Sequence, residues 1–394
     1  MLKKDITFIY WDASEKSLLL PIANEAKKRG YITKLTCNKF ERCEIGVYCQ
    51  HVNFPQFSKF SVIMLHDIIQ AYSDWPDLWY KEPWNKYDIG ILPSKQWVNN
   101  WNQCSQWSYT RPRIGLYEIG WPKADIIKDY QEQSSREVFF EKHHMNLSKP
   151  TILYAPAWEN DGKQDDFVKS MQKLDVNILI KQAPFPEKDY PHIVKNINEM
   201  YELHKDIPNV TILPPSTNIF EAIAVSDVLV SEESSTMCEA AIMEIPAVSV
   251  SNWLIPDVTP SRFPKCDYDF VTMTIKENLA ECINDIIHNY SIYKEKVQRF
   301  SRENFSNTGH TSQMIMDIID DCINNEMIRY KPLQPNLKIS IPFKKNLKRH
   351  IYLFKRNLYL YYTKEFAIVR VLYNILRHLK HALQKIYTFT SKGI

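Results

Sequence analysis

The residues best suited to chemistry stand directly behind short apolar runs. His66 closes SVIMLH (61–66) and Asp67 follows it. Ser94 follows DIGILP (88–93), and Gly120 follows RIGLYEI (113–119) in the run GWPKAD, which also holds Lys123 and Asp125. Pro156 and Trp158 lie in YAPAWEN, Lys181 closes NILIK (177–181), and SEESST (231–236) follows DVLV. The last of these is the most informative, because SDVLVSEESSTMCEAAIMEIPAVSV reads as strand, polar turn, helix, strand. Ser234, Ser235 and Thr236 fall at a helix N-terminus, where free backbone N–H groups and the helix dipole favour a phosphate. Glu239, about one turn in, is placed to accept from ribose hydroxyls. The same serines and threonine would serve equally as ordinary N-caps, so the local sequence leaves both readings open.

Elements of two kinds must position these groups. Runs such as ITFIYW (6–11), SVIMLH, DIGILP, TILYA (151–155), NILIK and AVSVS (247–251) are apolar on both faces, as strands of a covered parallel sheet are. Amphipathic stretches separate them, for example SLLLPIANEAKKRG, with Gly30 as its C-cap. This alternation predicts an α/β protein. It breaks over the polar stretch 126–149, which predicts two doubly wound, Rossmann-like domains over 1–130 and 150–330, joined by a connector at 131–149. A proline-marked linker (331–342) and a basic tail (343–394) follow. Two such domains would face each other across a cleft at the carboxyl ends of their strands, where open α/β sheets bind ligands.

Composition narrows the function. Only 8 of 394 residues are glycine, and no G-x-G-x-x-G or Walker loop occurs, so the usual dinucleotide and P-loop sites are excluded. The eight cysteines are scattered; Cys37, Cys43 and Cys49 are evenly spaced, but nothing completes a zinc site, and no metal is expected. The opening residues lack a signal-peptide core, and no uncharged run reaches the roughly 18 residues of a span, which predicts reducing cytosol. From residue 343 onward twelve Lys/Arg face one acid, Glu365. The tail thus carries +11, leaving −8 for the rest of a chain whose total is +3. Its cations alternate with Leu347, Ile351, Phe354 and Leu358 at helical spacing, the pattern of a helix lying on an anionic membrane surface. The tryptophans at 75, 79, 84, 97, 101 and 107 are expected mostly to pack rather than to bind a ligand.

Taken in order, LHD, YDIGILPS, IGWPKAD, ILYAPAW, VTILPP and VSEESSTMCEA resemble the CDP-glycerol:glycerophosphotransferase family of teichoic-acid and capsule assembly, over about residues 60–320. That resemblance implies two Rossmann-like domains in the GT-B arrangement. It makes His66, in place of the family's W-H-G histidine, the general base, with Asp67 beside it. GWPKAD resembles G-Y-P-R-x-D and assigns Gly120, Lys123 and Asp125 to the cleft, and YAPAW assigns Pro156 and Trp158. SEESSTMCE resembles T-D-Y-S-S-x-x-x-D and puts Ser234 and Ser235 on donor phosphate and Glu239 near the ribose. NTGHTSQ resembles a further family segment and brings in His310. The departures lie on the donor side: Ala157 and Glu159 replace Thr and Arg, Ala183 replaces a histidine, and Glu232-Glu233 replace Asp-Tyr. They remove cations where a pyrophosphate would be held, a role open to Lys181.

The implied reaction transfers glycerol or ribitol phosphate from a CDP-activated donor to a hydroxyl of a lipid-linked or polysaccharide acceptor. It needs no tightly bound cofactor and no nucleic acid, and it fits a peripheral protein on the inner face of the membrane. The alternatives are a nucleotide-sugar glycosyltransferase, a nucleotide-sugar 2-epimerase using Glu232 and Glu233, and a weakly catalytic protein that recruits polymer machinery to the membrane.

Overall fold

The computed structural model describes residues 4–50, 53–69, 79, 82–130, 133–159, 162–253, 268–338 and 343–365. Met1–Asn336 forms one compact unit and Leu337–Ile394 another.

The first unit holds two six-stranded sheets, every strand pair parallel. The first sheet contains β1 (Asp5–Ile9), β2 (Ile32–Thr36), β3 (Cys43–Cys49), β4 (Ser58–Met64), β5 (Ile89–Leu92) and β6 (Gly115–Glu118), in the order β2-β1-β3-β4-β5-β6. The second contains β7 (Thr151–Tyr154), β8 (Asn177–Lys181), β9 (Val210–Leu213), β10 (Val228–Ser231), β11 (Ala247–Val250) and β12 (Val271–Thr274), in the order β12-β11-β10-β7-β8-β9. In each sheet the strand order reverses beside the first strand. Those switch points open a crevice at the carboxyl ends of β1/β3 and of β7/β10.

Local chemistry sets the elements. Asp12 caps the helix Ala13–Lys28 by accepting from the amides of Ser14 and Glu15. Gly30, at φ +80°, ends that helix, and the Tyr31 amide returns to Ala26 O. The helix Thr311–Ile323 lies far along the chain yet packs on Ala13–Lys28. Arg29 fixes the pair with ion pairs of 2.8 Å to both Asp317 and Asp320. Of the six tryptophans between 75 and 107, Trp75 lies outside the described residues, and Trp79, Trp84, Trp97, Trp101 and Trp107 are buried. Trp79 packs edge-on against Trp84 and Trp97, so these rings are core.

The second unit contains the helix Phe343–Glu365. Phe343, Leu347, Ile351, Phe354 and Leu358 recur every three or four residues along it and all are exposed. The remainder of the expected tail lies outside the described residues. Among the described residues, no helix is long and apolar enough to cross a membrane.

Candidate active site

β4 is apolar and central, and the turn behind it delivers His66 and Asp67 to the carboxyl edge of the first sheet. His66 Nε2 lies 3.0 Å from Asp67 Oδ1. The turn is tied down from outside: the Trp121 indole donates to His66 O (2.8 Å), the Trp97 indole to Asp67 O (3.0 Å), and the Ser94 hydroxyl to Ile68 O (2.7 Å). Glu15, in the first turn of Ala13–Lys28, is fully buried and accepts from the Trp11 amide at 2.6 Å. Burial disfavours the charged imidazole of His66, but the Asp67 carboxylate, with Glu15 and Asp12 behind it, outweighs that and raises its pKa. Glu15, Cys49 and His66 hold their ligand atoms within 4.8 Å of one another, the set among the described residues able to take a metal ion.

The GWPKAD turn links the two sheets. Two residues past Trp121, Lys123 lies over the Trp121 and Phe220 rings and places its Nζ 2.7 Å from Glu239 Oε1. Glu239, in the short helix Thr236–Ile242, comes from the second sheet's side. Its other oxygen, Oε2, is buried without a hydrogen-bond partner among the described residues. Lys181, at the end of β8, is also within electrostatic reach of Glu239. Burial, reinforced by Lys123, lowers its pKa to about 8 although Glu239 opposes the shift. Its Nζ reaches only carbonyls, Gln182 O and Pro215 O, each at 3.3 Å. Lys123 thus pairs with Glu239, Lys181 lies within electrostatic reach of both, and Trp121 links Lys123 to the His66 turn.

The serine turn is engaged locally. Ser234 Oγ accepts from the Thr236 amide (3.2 Å), Thr236 Oγ1 donates to Ala155 O (3.3 Å), and Ser235 is exposed. Glu233 is buried. Pro156 is buried too, while half-buried Trp158 packs with Phe185 and Tyr190 at 5.3 and 5.4 Å.

Four of the expected cleft residues, Asp125, Gly120, Glu232 and Ser94, build the scaffold, and a fifth, His310, lies on the surface. Asp125 accepts from the amides of Thr311 (2.9 Å) and Ser312 (2.6 Å), capping the helix Thr311–Ile323 from a distant segment. Gly120, at φ +120°, lies so close to Ser306 that a Cβ would fall 2.4 Å from its carbonyl oxygen, and Asn307 donates to Ile119 O beside it. His310 is exposed, with Nε2 3.4 Å from Lys128 Nζ. Glu232 is fully buried: one oxygen accepts from the Ala157 and Trp158 amides (2.8 and 2.9 Å) and the other from Ser231 Oγ (3.0 Å). Its carboxylate holds the YAPAWEN loop in place and is not presented to the cleft. Ser94, likewise fully buried, reaches the cleft only through the His66 turn it holds.

The sequence reading missed several participants. Glu15 stands three residues after the cap Asp12, the spacing of a capping box, and that was the available signal. Lys163 and Gln182 gave none. Lys163 Nζ lies 3.5 Å from Glu232 Oε1, and Gln182 donates to Glu159 Oε2 at 2.6 Å. Glu159 is fully buried, and the loss of solvation pushes its pKa up to about 7, against the pull of Lys163 and the Gln182 amide.

Two parallel sheets, with His66 and Lys123 behind strands of the first and Lys181 and Glu239 supplied by the second, have the layout of GT-B transferases. The sequence profile of the CDP-glycerol:poly(glycerophosphate) glycerophosphotransferases matches residues 77–320, and the chain belongs to that family. It is a transferase. No curated protein sequence matches the chain. Among solved structures, it is similar to the wall teichoic acid polymerase TagF, in a substituted form soaked with CDPG. That pair is 15% identical, with 82% of this chain and 89% of that one covered and a TM-score of 0.60. It is also similar to UDP-GlcNAc 2-epimerase from Neisseria meningitidis bound to UDP-GlcNAc (12%; 82% and 100%; 0.56) and to S. aureus MnaA with UDP (12%; 84% and 100%; 0.59). At these identities the structural likenesses establish the fold alone.

Proposed function

We propose that the protein transfers glycerol phosphate or ribitol phosphate from its CDP ester to a hydroxyl of a lipid-linked or surface-polysaccharide acceptor, as a step in teichoic-acid or capsule assembly. One observation carries this reading: Lys123 pairs with Glu239, Lys181 lies within electrostatic reach of both, and the buried Oε2 of Glu239 lacks a donor among the described residues. A bound donor supplies what that arrangement lacks. A ribose hydroxyl donates to Glu239, and the pyrophosphate oxygens take up the two lysines, which stand in for the family cations lost at Glu159 and Ala183. The acceptor oxygen then attacks the phosphorus distal to cytidine. The bond from that phosphorus to the bridging oxygen breaks, CMP leaves, and the hydroxyl proton passes to His66.

The test is thermal melting of the full chain with CDP-glycerol, CDP-ribitol, CDP, UDP, GDP and nucleotide sugars. A cytidine ligand at 100 times its dissociation constant is expected to stabilise the protein by about 2.7 kcal/mol. A uridine- or guanosine-selective shift would instead support sugar transfer, and no shift with any nucleotide would support the recruiting role.

The exposed apolar stripe of Phe343–Glu365, set among basic residues, supports a membrane-surface role for this helix. Full-length protein is expected to sediment with vesicles containing anionic lipid and not with neutral ones. Leu347→Glu/Ile351→Glu/Phe354→Glu should abolish that binding. Unchanged sedimentation of the triple variant would remove the helix from the membrane contact.

A further inference from the structure

The turn that carries His66 is held by three side chains from two places in the sequence, Ser94 and Trp97 at one helix start and Trp121 further on, and each takes one of three consecutive carbonyls. Trp121 takes residue 66, Trp97 takes 67 and Ser94 takes 68. A turn behind a strand ordinarily satisfies such carbonyls with water. Here Ser94 and Trp97 are fully buried and Trp121 nearly so, and the indole rings are locked in the core. An indole N–H is a donor with no rotor of its own, so a buried ring fixes its direction.

We propose that Ser94, Trp97 and Trp121 are positioning residues for His66: by fixing the backbone of residues 66–68 they set the direction of the imidazole and its contact with Asp67. The inference rests on the reading of His66 as the base. Tying three successive carbonyls leaves the Cα–Cβ direction of His66 little freedom, and the Nε2–Asp67 contact inherits that rigidity. Catalysis is steeply sensitive to such placement, since a displacement of about 1 Å can cost on the order of 100-fold in rate. Trp121 also lies under Lys123, which pairs with Glu239 from the second sheet's side. One indole thus registers the imidazole and the Lys123–Glu239 pair against each other.

The experiment uses the full chain with Ser94→Ala, Trp97→Phe and Trp121→Phe. The titration of the His66 imidazole is followed by NMR, its resonance assigned from its loss in His66→Gln. Steady-state CMP release from CDP-glycerol is measured alongside. Each variant is expected to move the His66 midpoint toward the ordinary imidazole value and to lower kcat about tenfold, with KM for CDP-glycerol changed less than about twofold in Ser94→Ala and Trp97→Phe, which do not touch Lys123. A residue that only supported the fold would lower the melting temperature and leave the midpoint of the folded protein where it was. If a tryptophan variant fails to fold, Ser94→Ala carries the test. An unchanged midpoint together with unchanged kcat overturns the proposal. If His66→Ala releases CMP at the native rate while the variants still shift the midpoint, the base assignment falls and the three residues remain the holders of the turn.

Discussion

His66→Ala is expected to slow CMP release from CDP-glycerol by about 10²–10⁴-fold, the usual worth of a positioned general base, while KM for the donor barely changes. Lys123, Lys181 and Glu239, the groups we propose to hold the donor, are separate from the imidazole, which is why the loss should fall on kcat. The native pH profile carries a second signature. Asp67, Glu15 and Asp12 hold the His66 pKa above the ordinary imidazole value, and a base must be neutral to act. The rate should therefore rise with pH through a midpoint above about 6.5, the unperturbed imidazole value. Asp67→Asn should move that midpoint down, because it removes the largest charge favouring protonation. Native-like turnover in His66→Ala would end the assignment.

The second large effect is on stability. Glu159 is fully buried with a pKa of about 7, against an ordinary value of 4.5. The folded state thus holds this proton more tightly than the unfolded chain does. The corresponding stability is fully present below pH 4.5 and is lost as the pH rises through about 7. Its full extent is about 3 kcal/mol. Glu159→Gln keeps an acceptor for the Gln182 amide and cannot ionise. Denaturant titrations should find the variant more stable than native protein by about that amount at pH 8.5, with the difference closing as the pH falls below 4.5. A difference that does not vary with pH would show that Glu159 carries no such shift.

The apolar strands were legible in the sequence, the edge strands β6 and β9 among them, whereas β2, β3 and β12 were not. β4, β7, β8 and β10 are apolar on both faces because helices or loops cover both sides, and such runs announce themselves. β2 is an edge strand with Ile32 exposed and lysine and threonine among its five residues. β12 lies at the other sheet's edge with Met273 exposed. β3 is interrupted by Gly46 and bounded by cysteines, so its pairing with β1 and β4 left little trace in its composition. At the site, position behind a strand singled out candidates such as His66 and Lys181 but could not tell which candidates build the scaffold. Glu232 and Asp125 look like ligands in the sequence. Their oxygens are taken by backbone amides contributed from 74 and 187 residues away, and only the fold reveals such pairings.

The packing of Thr311–Ile323 on Ala13–Lys28 has a consequence for the order in which the chain can fold. The amino-terminal half leaves the ribosome with one face of its first helix bare, and Asp125 without the helix end it caps. Both wait for a segment nearly 190 residues downstream of Asp125. At ordinary synthesis rates that wait is on the order of ten seconds or more, far longer than local helices and hairpins need to form. The nascent first half must therefore persist partly uncovered, as a substrate for chaperones, until the far end of the chain returns to close it.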